Sequence, residues 1–376
     1  MSVQEYIRHL TDAGRYPKRA IAEAMQKTGK AAIGCFPIYL PEEIIYASGL
    51  LPVGLWGGQS DMTDVDRYIQ SFGCTIMRVN MELAMRGQYD FLKAIVMPTY
   101  CDTMKSIQAN WSAAVKGSRV LPYTVLQNRM GSGSLDFILG QNETLKKGLE
   151  EVSGKKITEK EIDNAFQIYE ACRAAMREFT DLVNEYPVTL NPTVRHLILK
   201  ASWFFDKKDY CEELTLLMNE LRQQPKEKLE GPRVVLTGLV LEPVELADLL
   251  TEYHYTVAAD DLAHESRQFR TLARKDGTTM EKIAYRMIDL KGDTFFFDPQ
   301  KERGQILIDT VRHNHADGVV VCMYKFCDPE EFDYPVCKKQ LEDAEIPILY
   351  IETDHMMRGT EQLRTRIQSF AEIYTL

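Results

Sequence analysis

Residues 319–335 read VVVCMYKFCDPEEFDYP. Three β-branched residues, Val319, Val320 and Val321, lead the chain to Cys322. Cys327 follows five positions later, ahead of Asp328, Pro329, Glu330 and Glu331. A short apolar run of this kind marks a strand buried on both faces of a parallel sheet, and Pro329 marks the break after it. Open α/β sheets gather their chemistry just beyond the carboxyl ends of such strands. A thiol placed there is a metal ligand, a nucleophile or an inert buried cysteine.

The same rhythm extends in both directions. Upstream, RVVLTG (233–238), YTVAA (255–259) and then GVVVC (318–322) read as strands, with helices predicted over 243–252, 279–290 and 302–313. Downstream come a helix over 334–344, the strand PILYI (347–351) and a helix over 360–373. The N-terminal part behaves alike. A helical lead-in over 4–28, divided by Pro17, precedes strand runs AAIGCF (31–36), LPVGLW (51–56), AIVMP (94–98) and RVLPYTV (119–125). Helices are expected over 42–48, 75–86 and 102–115. Strand and helix alternate at the pace of βαβ units. Between residues 134 and 223 the apolar spacing stays at 3.6 residues with few strand signals, and one stretch covers 191–223. The fold class expected is α/β, with two Rossmann-like parallel-sheet domains and a helical connector. The divisions are 1–150, 151–228 and 229–376.

Composition limits the function classes. At 376 residues the chain can hold two domains and a large core. A hydrophobic content of 45% and a charged content of 27% are ordinary for a globular protein. A net charge of −10 argues against nucleic acid, because phosphate binding needs clustered Lys and Arg. No window approaches the roughly 18–20 apolar residues of a membrane span, and the first residues lack a signal-peptide apolar region. A cytoplasmic location is expected, and there the eight cysteines are thiols or metal ligands rather than disulfides.

The cysteines sort by setting. Cys172 and Cys211 fall inside predicted helices and read as small buried hydrophobes. Cys337 is expected early in a helix beside Lys338 and Lys339, at the surface or partly buried. Cys35, Cys74, Cys101, Cys322 and Cys327 fall at strand ends or in the turns after them. Cys74 and Cys101 each precede a helix start, where free N–H groups and the dipole favour a thiolate or an anionic cluster. Cys327 completes a set of three drawn from both domains. No CxxC pair is present, so zinc-finger and ferredoxin spacings are missing. Spacing alone leaves a metal site open. Gly238 after RVVLT hints at a dinucleotide loop, but there is no GxGxxG, and NAD or FAD is rejected.

Several stretches carry a resemblance that runs nearly end to end. They are IGCFPIYLPEEIIYASGLLPVGLWGG (33–58), SFGCTIM (71–77), PTYCDTMK (98–105), LPYTVLQNR (121–129), ADDLAHESRQFR (259–270), KFCDPEEFDYP (325–335) and TRIQSFAE (365–372). With these the chain resembles the β subunits of (R)-2-hydroxyacyl-CoA dehydratases, within the wider family that includes benzoyl-CoA reductase subunits. KFCDPEE with a following Tyr-Pro is highly specific, and PxxCDT moderately so. The resemblance implies that Cys74, Cys101 and Cys327 hold one [4Fe–4S] cluster, with a small exogenous ligand on the fourth iron. It also implies a heterodimer with an α subunit, an ATP-dependent iron–sulfur activator protein and a 2-hydroxyacyl-CoA substrate. The reaction implied is a radical syn-elimination of water to the (E)-2-enoyl-CoA, a lyase activity of anaerobic amino-acid fermentation. Cys35 and Cys322 lie outside that ligand pattern and stay either neighbours of the cluster or core thiols.

Two rivals remain at this level. One is a subunit of a benzoyl-CoA-type or double-cubane reductase, where extra cluster cysteines would have to be Cys35 and Cys322. The other is a zinc-bound or metal-free scaffold subunit, for which no nearby His completes four-coordinate zinc. Asp260, Asp261, His264, Glu265, Ser266, Arg267 and Arg270 read equally as a cleft cluster or as an ion-paired turn. Glu42 and Glu43 read as helix-start charge, with a cleft position open. His313 and His315 read as solvated.

Overall fold

The computed structural model describes residues 1–357, 359 and 361–375. Helices α1 (Val3–Arg15) and α2 (Pro17–Thr28) lead in, split at Pro17, whose missing N–H costs nothing at a helix start. The first sheet follows as β1 (Ala32–Cys35), α3 (Glu42–Ala47), β2 (Leu51–Gly54), α4 (Thr75–Met85), β3 (Ile95–Pro98), α5 (Asp102–Ala114) and β4 (Val120–Tyr123). Then come α6 (Ser134–Ser153), α7 (Glu159–Leu182), α8 (Pro192–Ala201) and α9 (Lys207–Leu221). The second sheet is made by β5 (Arg233–Gly238), α10 (Val244–Glu252), β6 (Thr256–Leu262), α11 (Thr279–Asp289), α12 (Glu302–His313), β7 (Gly318–Tyr324), α13 (Asp328–Asp343), β8 (Ile348–Thr353) and α14 (Glu361–Thr375).

Both sheets have four parallel strands, in the orders β2-β1-β3-β4 and β6-β5-β7-β8. These are two α/β units of the expected class, built in one topology. Their central strands are buried throughout except for Arg233 at the start of β5, which is why their sequences are apolar without alternation. In each sheet the strand order reverses at the middle pair, β1/β3 and β5/β7, so each has a topological switch point.

Helices α6 to α9 do not stand off as a separate bundle. α7 packs on α3 and α9, α6 on α11, and α8 on α1 and α10. One apolar core accordingly runs from the first sheet through these helices to Phe269, Phe295 and Cys327 in the second unit, while two smaller cores flank the second sheet.

Four local expectations are corrected. The stretch 191–223 is two helices, because Asp206 caps α9 through the Lys208 N–H and ends any continuity. β6 continues through Asp260 and Asp261, whose charges are met by arginines. α13 begins at Asp328 instead of 334, since Pro329 sits in its first turn and Pro335 is carried inside it. Cys337 therefore lies deep in that helix and is buried.

Candidate functional site

Cys74, Cys101 and Cys327 are the N-cap residues of α4, α5 and α13, and none of the three caps its helix with a formal side-chain hydrogen bond. All three line one pocket. Its other walls come from just past the carboxyl ends of the switch-point strands: Pro37 after β1, Tyr100 after β3, Leu239 after β5 and Phe326 after β7. The two switch points thus face each other, and the cysteines project from helix starts into the space between them. Phe326 takes a left-handed backbone, φ 61°, to turn the chain from β7 into α13. Trp56, Tyr100 and Phe295 make the pocket aromatic, and it encloses about 90 Å3.

Burial dominates the electrostatics. It pushes the Cys74 thiol up to about 12, with Cys101 adding to the effect. Cys101 rises to about 11, again through burial. Cys327 is raised well above its ordinary value by burial and then by the Glu330 carboxylate. Amides of Ile76 and Met77, of Thr103 and Met104, and of Glu330 pull the other way. Without a cation these are protonated, unreactive thiols; a bound metal centre would release their protons and gain the amide dipoles.

The donor set can be tested against the groups it might hold. A single tetrahedral ion with metal–sulfur bonds of about 2.3 Å needs sulfurs about 3.8 Å apart. Among the described residues, the ligand atoms gathered within 4.8 Å of one another in a set of three are those of His196, His264 and Glu265; the three thiols are not such a set. Three soft donors in a largely apolar, aromatic pocket, spaced beyond one ion's reach, fit a polynuclear iron–sulfur group.

The remaining cysteines stay out of this pocket. Cys35 ends β1 and is buried, and Cys322 is fully buried inside β7, opposite Gly238 and Ile351. Gly238 itself has φ 136°, and a Cβ there would run into the Cys322 carbonyl oxygen. Close strand packing, with no dinucleotide loop, accounts for that glycine. Cys172 is buried in α7 and Cys211 half-buried in α9.

The Asp260–Arg270 stretch is an ion-paired hub. Arg195 of α8 donates to Asp260 and Glu265, and His196 Nδ1 lies 2.8 Å from Glu265 Oε1. Asp261 receives Arg267 at 2.9 and 3.1 Å, Arg303 at 3.2 Å, and Arg270. Arg267 then reaches Glu330, in the first turn of α13, at 3.1 Å. The Cys327 helix is thereby tied to β6. Burial pushes the Glu330 carboxyl up, but Arg303 and Arg267 outweigh it and hold it below the usual range. Glu43 is also buried, between Arg173 and Arg286. His313 and His315 are exposed, as expected. Sequence reasoning missed Arg195 and His196, because their partners lie 46 to 70 residues away.

No helix among the described residues is long and apolar enough to cross a membrane. The model of the 2-hydroxyglutaryl-CoA dehydratase D-component family matches residues 37–374. The chain is 37% identical to the (R)-phenyllactyl-CoA dehydratase beta subunit of Clostridium sporogenes over 98% of both chains. It is 37% identical to the lactoyl-CoA dehydratase subunit beta of Anaerotignum propionicum over 99% of both. It is 34% identical to the (R)-2-hydroxyglutaryl-CoA dehydratase subunit beta of Acidaminococcus fermentans, covering 99% of this chain and 100% of that one. With that match over nearly its whole length, and with subunits of three hydro-lyases as relatives, the chain belongs to the 2-hydroxyglutaryl-CoA dehydratase D-component family.

Proposed function

We propose that this chain is the β subunit of an (R)-2-hydroxyacyl-CoA dehydratase and holds one [4Fe–4S] cluster on Cys74, Cys101 and Cys327. The observation that carries the reading is the convergence of three helix N-cap thiols, from both sheets, on one aromatic pocket. The reaction is elimination of water to the (E)-2-enoyl-CoA by way of a ketyl radical on the thioester carbonyl, after ATP-driven one-electron activation. The β-hydrogen of the substrate is not acidic until that radical exists, so base catalysis alone cannot remove it. The cluster, when bound, supplies one-electron transfer.

The chain's own residues supply the setting. The first-turn amides of α4, α5 and α13 stabilise thiolate charge, and burial limits water at Cys74 and Cys327, with Cys101 partly buried. Trp56, Tyr100, Phe295 and Phe326 make the surroundings apolar. The network through Arg267 and Arg303 fixes the α13 start, and with it Cys327. A partner α subunit would carry the substrate site, and an activator protein would deliver the electron. Relatives of similar identity bear phenyllactyl, lactoyl and hydroxyglutaryl names, so features common to all of them do not select the acyl group.

The test is iron, sulfide and EPR spectra on protein purified anaerobically with its neighbouring subunit. About four irons and four sulfides on this chain are expected. Cys101→Ser and Cys327→Ser should fold, lose iron and lose dehydratase activity. Zinc in place of iron, or normal iron in both variants, would refute the assignment.

A further inference from the structure

A second chamber of about 90 Å3 lies between α3, α6, α7 and α11. It shares no lining residue with the thiol pocket. Tyr39 on its wall packs edge-on against Tyr100, with ring centres 5.9 Å apart, and forms part of the partition.

The chamber concentrates unmet hydrogen bonding. Among the described residues, thirteen buried side-chain polar atoms have no hydrogen-bond partner, and six of them belong to its lining. They are Glu43 Oε2, Asn142 Nδ2, Tyr169 OH, both ring nitrogens of His264 and Arg286 Nε. Glu43, Asn142 and His264 are at most 2% exposed. His264 also lines the neighbouring pocket with Glu242 and His355, and the Tyr169 hydroxyl faces Glu42. Buried polar atoms are almost always satisfied, so the other three, Glu43 Oε2, Asn142 Nδ2 and Arg286 Nε, mark a space whose contents make hydrogen bonds. At about 30 Å3 of liquid volume per water the space holds about three waters, or one small molecule in their place.

The groups define what such a molecule must offer. Arg173 and Arg286 both donate to the same buried carboxylate oxygen, Glu43 Oε1, at 2.5 and 2.9 Å. The second Arg286 donor bonds the Gln268 carbonyl at 3.0 Å, while Nε has Glu170 no nearer than 3.9 Å. Burial, then repulsion from Arg173, lowers Arg286 to about 10, as befits a guanidinium short of negative charge. Arg286 Nε and an Asn142 N–H are therefore free donors, suited to a carboxylate. Tyr123 already donates to Asn142 Oδ1 at 2.9 Å, which holds the amide in place. Glu43 Oε2 is a free acceptor. Burial raises the Glu43 carboxyl, but Arg173 and Arg286 more than offset this, so it is ionised and calls for a hydroxyl donor.

We propose that this chamber binds a small hydroxylated carboxylate. Arg286 and Asn142 take its carboxylate, and its hydroxyl donates to Glu43. The proposal does not depend on the thiol pocket being loaded.

The probe is lactate, a small carboxylate with one hydroxyl, with propionate and chloride as controls. They are titrated into the protein, in whatever complex it forms, by calorimetry and by melting temperature. Lactate should bind saturably and raise the melting temperature, with propionate at least about ten-fold weaker for want of the hydroxyl. Asn142→Asp, which opposes a carboxylate with another, should weaken lactate about ten-fold or more. A crystal grown with lactate tests the wild type directly, should that variant not fold; density for the acid against Arg286 and Asn142 is expected. Waters alone in that density, equal responses to lactate, propionate and chloride, or unchanged affinity in a folded Asn142→Asp would each overturn the proposal.

Discussion

Replacing Arg267 with Met tests whether the buried ion network holds the Cys327 helix. The Arg267 side chain is fully buried and meets three carboxylates: Asp261 at 2.9 Å, Glu330 at 3.1 Å and Asp293 at 3.5 Å. Asp261 keeps Arg270 and Arg303, and Glu330 keeps Arg303 at 2.8 Å. Among the described residues Asp293 keeps no other ion pair; Tyr39 donates to it. Removing one partner of a buried pair costs about 3–5 kcal/mol, because the other charge is left without compensation. An unfolding entropy of about 2.1 cal/mol/K per residue comes to about 0.8 kcal/mol/K for a chain of this length. The melting temperature should therefore fall by about 4–6 °C, and by more if the units melt separately. Glu330→Gln in the Arg267→Met background should cost less than the two single losses added together, since the two groups share one interaction. Melting curves of the four proteins at neutral pH form the assay. A drop under 1 °C for Arg267→Met, or strict additivity in the double variant, would show that the network neither bears load nor couples β6 to α13.

Gly238→Ala should be poorly tolerated, because its Cβ meets the Cys322 carbonyl at a φ of 136°, whereas Gly58→Ala, with open space around it and outside any helix, should melt like wild type; expression level and melting temperature compare them. Lowering the pH from about 6.5 towards 4 should destabilise the fold through its histidines. Burial holds His264 down to about 3 and His355 to about 4, so the folded state refuses protons that the unfolded chain accepts, and their stabilisation is lost as pH falls through that window. His355→Gln should flatten the pH dependence of melting, and an unchanged slope would refute the assignment. His196 has the opposite sign. Burial lowers it, but bonds to Glu242 and Glu265 prevail and raise it, so its contribution is present at low pH and is lost as pH rises through the raised value. Thr158→Ala, which removes the capping box of α7, should cost about 1 kcal/mol, read as a melting shift of about 1 °C.

Much of this architecture can be read from residue patterns because parallel strands announce themselves. Val319–Val321 and Val234–Leu236 are buried on both faces, and no polar alternation interrupts them. The reading falters where polar residues are buried by distant partners. Asp260 and Asp261 look like a strand's end, yet β6 runs through them because Arg195 and Arg303 supply charge from 65 and 42 residues away. Pro329 does mark the break after β7, but a proline in a helix's first turn is equally a start, and α13 begins at Asp328. The grouping of Cys74, Cys101 and Cys327 is legible through helix starts for the first two, a strand end for Cys327 and the resemblance; that they share a pocket is a matter of topology. The second chamber had no linear signal. Glu43, Asn142, His264 and Arg286 are ordinary polar residues until folding strands their hydrogen-bonding atoms together.

The repeated topology explains why the thiols meet at all. In one open sheet, the crevice at the switch point is bounded by two strand ends and opens to solvent. Here the second sheet has the same strand order, and its crevice faces the first, so the pocket between them is walled by Pro37, Tyr100, Leu239 and Phe326 from four strand ends. Each cysteine can then sit at a helix N-cap with amides nearby, Cys74 and Cys327 buried and Cys101 partly so. Such a site depends on the two sheets keeping their separation, because Cys327 belongs to one and Cys74 and Cys101 to the other. The apolar core that joins the first sheet to Phe295 and Cys327 sets that separation, and the Arg267–Glu330 link fixes where α13 starts within it. Apolar packing alone would let the helix start slide by small amounts. Three arginine–carboxylate contacts with fixed directions do not, which is a physical reason for a pocket built of thiols and aromatics to stand beside so much buried charge.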